Sequence, residues 1–138
     1  MPTSVFMIYL LYGSDTYRSR KKLCEMIDAC RARQKDALSF ERFDAEEDDL
    51  ALLRGFVETH SLFGGKKLAV IERALSSGKQ FDVVRAALER NQTNLDVMFV
   101  LWDGELNAAG EKRRLEVQHL VDKMQECKPL APAELIKW

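Results

Sequence analysis

The feature that most restricts the fold of this chain is the regular exchange of short, continuously apolar runs with longer segments whose apolar residues recur at helical spacing. Val5-Phe6-Met7-Ile8-Tyr9-Leu10-Leu11-Tyr12 is apolar throughout and closes on Gly13-Ser14-Asp15, as a central parallel strand covered on both faces would. From Tyr17 to Gln34, Leu23, Met26, Ile27 and Cys30 fall at i, i+3, i+4 and i+7, which predicts a helix with one apolar stripe. Ala37 to Phe43 reads as a second strand. The acidic stretch Asp44 to Asp49, whose carboxylates favour a helix start, leads into a helix with Leu50, Leu53, Phe56 and Val57 facing inward. Lys67 to Ile71 is a third strand, Ser76-Ser77-Gly78 a surface turn, and Phe81, Val84 and Leu88 mark a third helix. Val97 to Trp102 is a fourth strand. Val117, Leu120, Val121 and Met124 share a register that predicts a fourth helix over Leu115 to Met124, and Glu126-Cys127-Lys128 follows as a short fifth strand. Such alternation predicts an α/β three-layer sandwich with a five-stranded, mainly parallel sheet, because parallel neighbours need right-handed crossovers.

Length and composition narrow this further. A chain of 138 residues is the size of one domain and buries roughly two thirds of its unfolded surface, so residues 1–138 are expected to form a single unit. Its formal net charge of −1 provides no overall field for nucleic acid. Cys24, Cys30 and Cys127 match neither a metal knuckle nor a redox spacing and read as reduced thiols. The apolar start has no basic segment before it and is too short to span a bilayer, so the expectation is a cytosolic protein without membrane contact. Pro132-Ala133-Glu134 looks like a helix start close to Trp138, which suggests the N-terminal piece of a longer protein.

The turn after the first strand is where an α/β protein would cradle a phosphate. Gly13-Ser14-Asp15-Thr16-Tyr17-Arg18-Ser19-Arg20 lacks the second glycine, the lysine and the metal-binding hydroxyl of a P-loop, and Asp15 would repel phosphate. The reading is a degenerate turn formed by Gly13, Ser14, Asp15 and Tyr17, with Asp15 or Thr16 capping the helix. A nucleotide- or phosphate-responsive domain of P-loop-like or receiver-like type is the alternative. Lys128-Pro129 followed by Glu134-Leu135 looks like the end of a phosphorelay receiver, but Ile71-Glu72 stands where a receiver carries its phosphate-accepting aspartate. His60 and His119 lie in no zinc-protease or nucleophile-elbow spacing, so no catalytic residue, metal or cofactor is expected. Asp44 to Asp49 lacks the glycine and alternation of a calcium loop. The first helix carries Arg18, Arg20, Lys21, Lys22, Arg31, Arg33 and Lys35 against Glu25 and Asp28, and without interleaved aromatics this reads as a solvated face rather than a strong DNA site. In Thr59-His60-Ser61-Leu62-Phe63-Gly64-Gly65, the adjacent leucine and phenylalanine cannot both readily point into one core. Periodicity leaves open whether they pack inward or stand exposed as binding anchors.

The order of these landmarks resembles the bacterial DNA polymerase III delta subunit: an apolar strand ending in Gly13-Ser14-Asp15-Thr16-Tyr17, a long helix, then Ser61-Leu62-Phe63 with Lys66-Lys67-Leu68-Ala69-Val70-Ile71 behind it. Val97-Met98-Phe99-Val100-Leu101, Glu111-Lys112-Arg113-Arg114-Leu115 and Glu134-Leu135-Ile136-Lys137-Trp138 also look like the family. The resemblance implies a RecA-like domain of the AAA+ type that has lost ATP hydrolysis. It implies further that Ser61, Leu62 and Phe63 bind the sliding clamp (beta subunit), with Leu62 and Phe63 entering its hydrophobic pocket and favouring an open ring. The implied partners are the clamp and the other clamp-loader subunits, with primed DNA met only within the complex.

Overall fold

In chain order the elements are β1 (Ile8–Tyr12), α1 (Thr16–Gln34), β2 (Ser39–Asp44), α2 (Ala51–Glu58), β3 (Lys67–Glu72), α3 (Phe81–Arg90), β4 (Val97–Trp102), α4 (Ala108–Val117), a 3₁₀ turn over Gln118–Leu120, and β5 (Lys123–Glu126). The structure is a computed structural model that describes residues 8–34, 39–58, 66–92 and 97–128. Its strands form one sheet in the order β2-β3-β4-β1-β5, with every described pairing parallel, so the mainly parallel sheet read from the sequence is parallel throughout its described strands.

β1 is buried at every position because it has β4 on one edge, β5 on the other and helices over both faces. Its alternate residues serve two cores. Ile8, Leu10 and Tyr12 join α2, α3 and α4 through Leu53, Val84, Leu88 and Val117, whereas Tyr9 and Leu11 join Leu23 and Ile27 of α1. Among the described residues three helices therefore cover one face and α1 covers the other. Fully buried residues such as Leu10, Leu53, Ile71, Leu88 and Leu101 each contribute about 1.5–3 kcal/mol through burial. The stripe read on α1 is the one that packs, with Leu23 and Ile27 buried and Met26 and Cys30 half-buried against the sheet. Among the described residues no helix is long and apolar enough to cross a membrane.

The C-terminal third departs from the sequence reading. The fourth helix is Ala108–Val117, not Leu115 to Met124. Asn107 caps it, its side-chain oxygen accepting from the Gly110 amide at 2.8 Å. The fifth strand is Lys123–Glu126 rather than 126–128. Val117, Leu120 and Val121 do satisfy a helical register, but the chain leaves the helix at Val117 because β1 needs a partner on its free edge. Tyr9 to Tyr12 then pair in register with Lys123 to Glu126. Met124 packs against the same core from an extended backbone.

Candidate functional site

All strands run the same way, so their carboxyl ends collect at one edge of the sheet, where open α/β proteins place ligand sites. Gly13 leaves β1 at φ +128°, and a β-carbon there would overlap the Cys127 carbonyl. Only glycine suits that position. The Gly13 amide donates to the Gly104 carbonyl at 3.0 Å and the Asp15 amide to the Cys127 carbonyl at 3.0 Å. One carboxylate oxygen of Asp15 accepts from the Arg18 amide at 3.1 Å, capping α1, and the Arg18 guanidinium donates to the Lys128 carbonyl at 3.2 Å. The amides of Gly13, Asp15 and Arg18 are thus already engaged, and the helix end that would attract phosphate carries a carboxylate. Ser14 is exposed beside it and Tyr17 stands 77% exposed on the first turn of α1.

Next to this turn lies a cleft of about 390 Å³ whose charged lining is Glu105, Glu111, Glu126 and Lys128. Tyr12 forms one wall. Burial pushes its hydroxyl pKa up, the nearby Arg114 opposes this, and Glu126 and Glu111 add to the rise. Arg114 lies over the Tyr12 ring at 5.6 Å and holds Glu111 at 2.7 Å, and Arg18 is engaged with the Lys128 carbonyl, so both guanidiniums are committed to the walls of the cleft. The electrostatics of this edge disfavour a polyanion.

Three further groups that escaped the sequence reading organise the strand ends, Asp103 and Arg73 at this carboxyl edge and Lys67 at the opposite, amino end of β3. Asp103, directly after β4, is fully buried and accepts from the amides of Leu75 at 2.9 Å and Ser76 at 3.0 Å. Burial raises its pKa while those amides pull it back. Arg73, directly after β3, sits at φ +58° and grips Asp44 at the end of β2 with both arms of its guanidinium, Nε at 2.9 Å. That hydrogen bond holds the Asp44 carboxyl below its ordinary value. The available signal was a charged residue immediately following an apolar strand, a position that recurs here at the ends of β3 and β4. The acidic stretch serves a helix start only at Asp49, which accepts from the Ala51 amide; Asp44 ends β2, and Asp44 and Asp48 accept from the amides of Glu46 and Asp44 in the turn between the two elements.

Lys67 is the third such group. It is buried, and its ammonium donates to the Phe56 carbonyl at 2.7 Å and approaches the Val57 carbonyl at 3.4 Å, so it caps the C-terminus of α2 from the first position of β3. Burial lowers its pKa. Segment 59–65 joins these two elements. Ser61, Leu62 and Phe63, the residues read as clamp-binding, lie outside the described residues. On α1, the basic face is partly committed to packing: Arg20 lies over the Trp102 ring at 4.6 Å and Arg31 over the Phe40 ring at 5.2 Å.

Comparison with known proteins adds two kinds of likeness. A family model described as DNA polymerase III, delta subunit, matches residues 9–99. Among solved structures, the Bacillus subtilis DNA clamp loader delta protein (YqeN) aligns with a TM-score of 0.67 at 24% identity, covering 96% of this chain and 41% of its own. The Aeropyrum pernix ORC2 protein, solved in ADPNP–ADP complexes, aligns with a TM-score of 0.58 at 10% identity over 96% of this chain and 45% of its own. At these identities the structural matches speak for the fold alone, a five-stranded parallel sheet flanked by helices. This chain spans less than half the length of either. No curated protein sequence matches it.

Proposed function

This chain belongs to the DNA polymerase III delta-subunit family, and from that premise we propose that it is the clamp-gripping domain of a replication clamp loader. In this reading Ser61, Leu62 and Phe63 seat on the sliding clamp, Leu62 and Phe63 fill an apolar pocket, and the open form of the ring is bound more tightly than the closed form. A difference in affinity between the two forms is sufficient to shift the ring toward opening, and the domain needs no reaction of its own to supply it. The observation that carries the reading is that the family match over residues 9–99 runs through Ser61-Leu62-Phe63. The closed turn at Gly13 and Asp15 supports its second half, that nucleotide hydrolysis is left to other subunits of the loader. Those subunits and the clamp are the proposed partners, primed DNA is met only in the assembled complex, and the work is cytoplasmic.

Surface plasmon resonance against the cognate clamp tests the proposal with the double variant Leu62→Ala/Phe63→Ala. If the two residues are pocket-filling anchors, affinity falls by at least ~2 kcal/mol, or about thirtyfold, with little change in melting temperature. Unchanged affinity at a normal melting temperature would rule out the anchor. A melting temperature lowered by the equivalent of about 2–5 kcal/mol per residue would return both side chains to the core.

A further inference from the structure

α1 is the only described helix on its face of the sheet, and on the side toward β5 it leaves a cavity of about 220 Å³ against the strands. The floor is apolar, with Met26 from α1 and Met98 and Val100 from β4. The rim is basic. Lys22 and Arg33 reach it from α1, in line with Met26 and Ala29 along one side of the helix, and Lys123 reaches it from β5, over the Tyr9 ring at 5.7 Å. Among the described residues no carboxylate lines the cavity. Among the described residues neither Lys22 nor Arg33 takes part in an ion pair.

Size and charge together select the occupant. The cavity exceeds the ~150 Å³ that encloses a benzene, yet falls below the ~300–1,000 Å³ of pockets that engulf a whole drug-sized ligand. It therefore suits one inserted side chain better than a complete small molecule. A nucleic-acid strand would need open ring faces for its bases, but Tyr9 is buried, and the nearby rings of Trp102 and Phe40 are covered by Arg20 and Arg31. Residues 129–138 carry one glutamate and one lysine and so do not complement three cations. We propose that this cavity is a docking site for a partner protein, receiving one apolar side chain presented from a segment rich in aspartate and glutamate. The apolar floor supplies affinity, and the basic rim sets orientation and rejects basic segments.

NMR titration of the 138-residue chain with the peptide Gly-Asp-Asp-Leu-Asp-Asp-Gly tests this. The expected result is saturable movement of the Lys22, Ala29, Arg33 and Val100 amide signals with a Kd below about 1 mM at low salt. Replacing the peptide's leucine by alanine should weaken binding at least about tenfold. So should the protein variant Lys22→Glu/Arg33→Glu, at one half-buried and one exposed position, with an unchanged melting temperature. Ala29→Trp, which occupies the cavity without altering charge, should do the same. Equal binding of the leucine and alanine peptides would reduce the site to plain charge attraction and overturn the proposal. So would the absence of saturable shifts, or tighter binding of an oligo-dT strand that the same charge reversal abolishes.

Discussion

At Gly13 and Asp103 single atoms decide the local structure. The φ of +128° at Gly13 is combined with a backbone approach so close that an added methyl meets the Cys127 carbonyl. Gly13→Ala should therefore destabilise the domain by about 1–3 kcal/mol or more, read as a lowered urea midpoint at constant slope. A loss under about 0.5 kcal/mol would mean that the turn relaxes freely. Asp103 gives a pH signature. Its folded carboxyl is held above the ordinary 3.8 chiefly by burial, so the unfolded chain ionises first as pH rises. Stability is consequently greatest, as far as this group is concerned, below that value, and is eroded as pH climbs from there through the folded pKa. Asp103→Asn loses one of the two amide bonds, for about 1–3 kcal/mol, but does not ionise. Its deficit against the parent should shrink as pH rises above 3.8 in urea unfolding. A deficit that widens would show that the amides outweigh burial.

Among the elements, α2 and β3 are joined by Lys67 rather than by adjacency alone. Its ammonium caps the last turn of α2 from β3, and these two elements are the stems of segment 59–65. Lys67→Met keeps the apolar stem and removes the cap, leaving the Phe56 carbonyl without that donor. The expected loss is about 1–3 kcal/mol, together with faster hydrogen exchange at the last-turn amides of α2. Exchange unchanged in α2 would contradict the cap. Helix positions were legible where one periodicity ruled: Leu23 and Ile27 on α1, and Phe81, Val84 and Leu88 on α3, are buried as their spacing implies. Over 115–124 two readings competed. The register of Val117, Leu120 and Val121 favours a helix there, whereas pairing with β1 demands an extended backbone, and nothing local marks Lys123 as the start of a strand.

The whole molecule is a sheet whose carboxyl edge resembles a nucleotide site in position but not in chemistry. If ATP with magnesium bound there, a concentration about 100 times its Kd would add about 2.7 kcal/mol of stability. The proposed closed turn leads to no shift in melting temperature with millimolar ATP and magnesium, and a shift of several degrees would reopen it. The apolar runs and their spacing were enough, without any structure, to dictate an α/β sandwich with β1 as an interior strand, because a strand such as Ile8–Tyr12 can be satisfied only between neighbours and under helices. Glycine followed by aspartate after that strand likewise foretold a capped turn, since both preferences act over a few residues. Tertiary structure alone decided the sheet order, the pairing of Lys123–Glu126 with β1, the burial of Asp103 and the basic cavity beside α1. Each of these depends on residues far apart in the chain that meet only once the sheet has formed, and no local pattern records which distant group will arrive to share a hydrogen bond or leave a space unfilled.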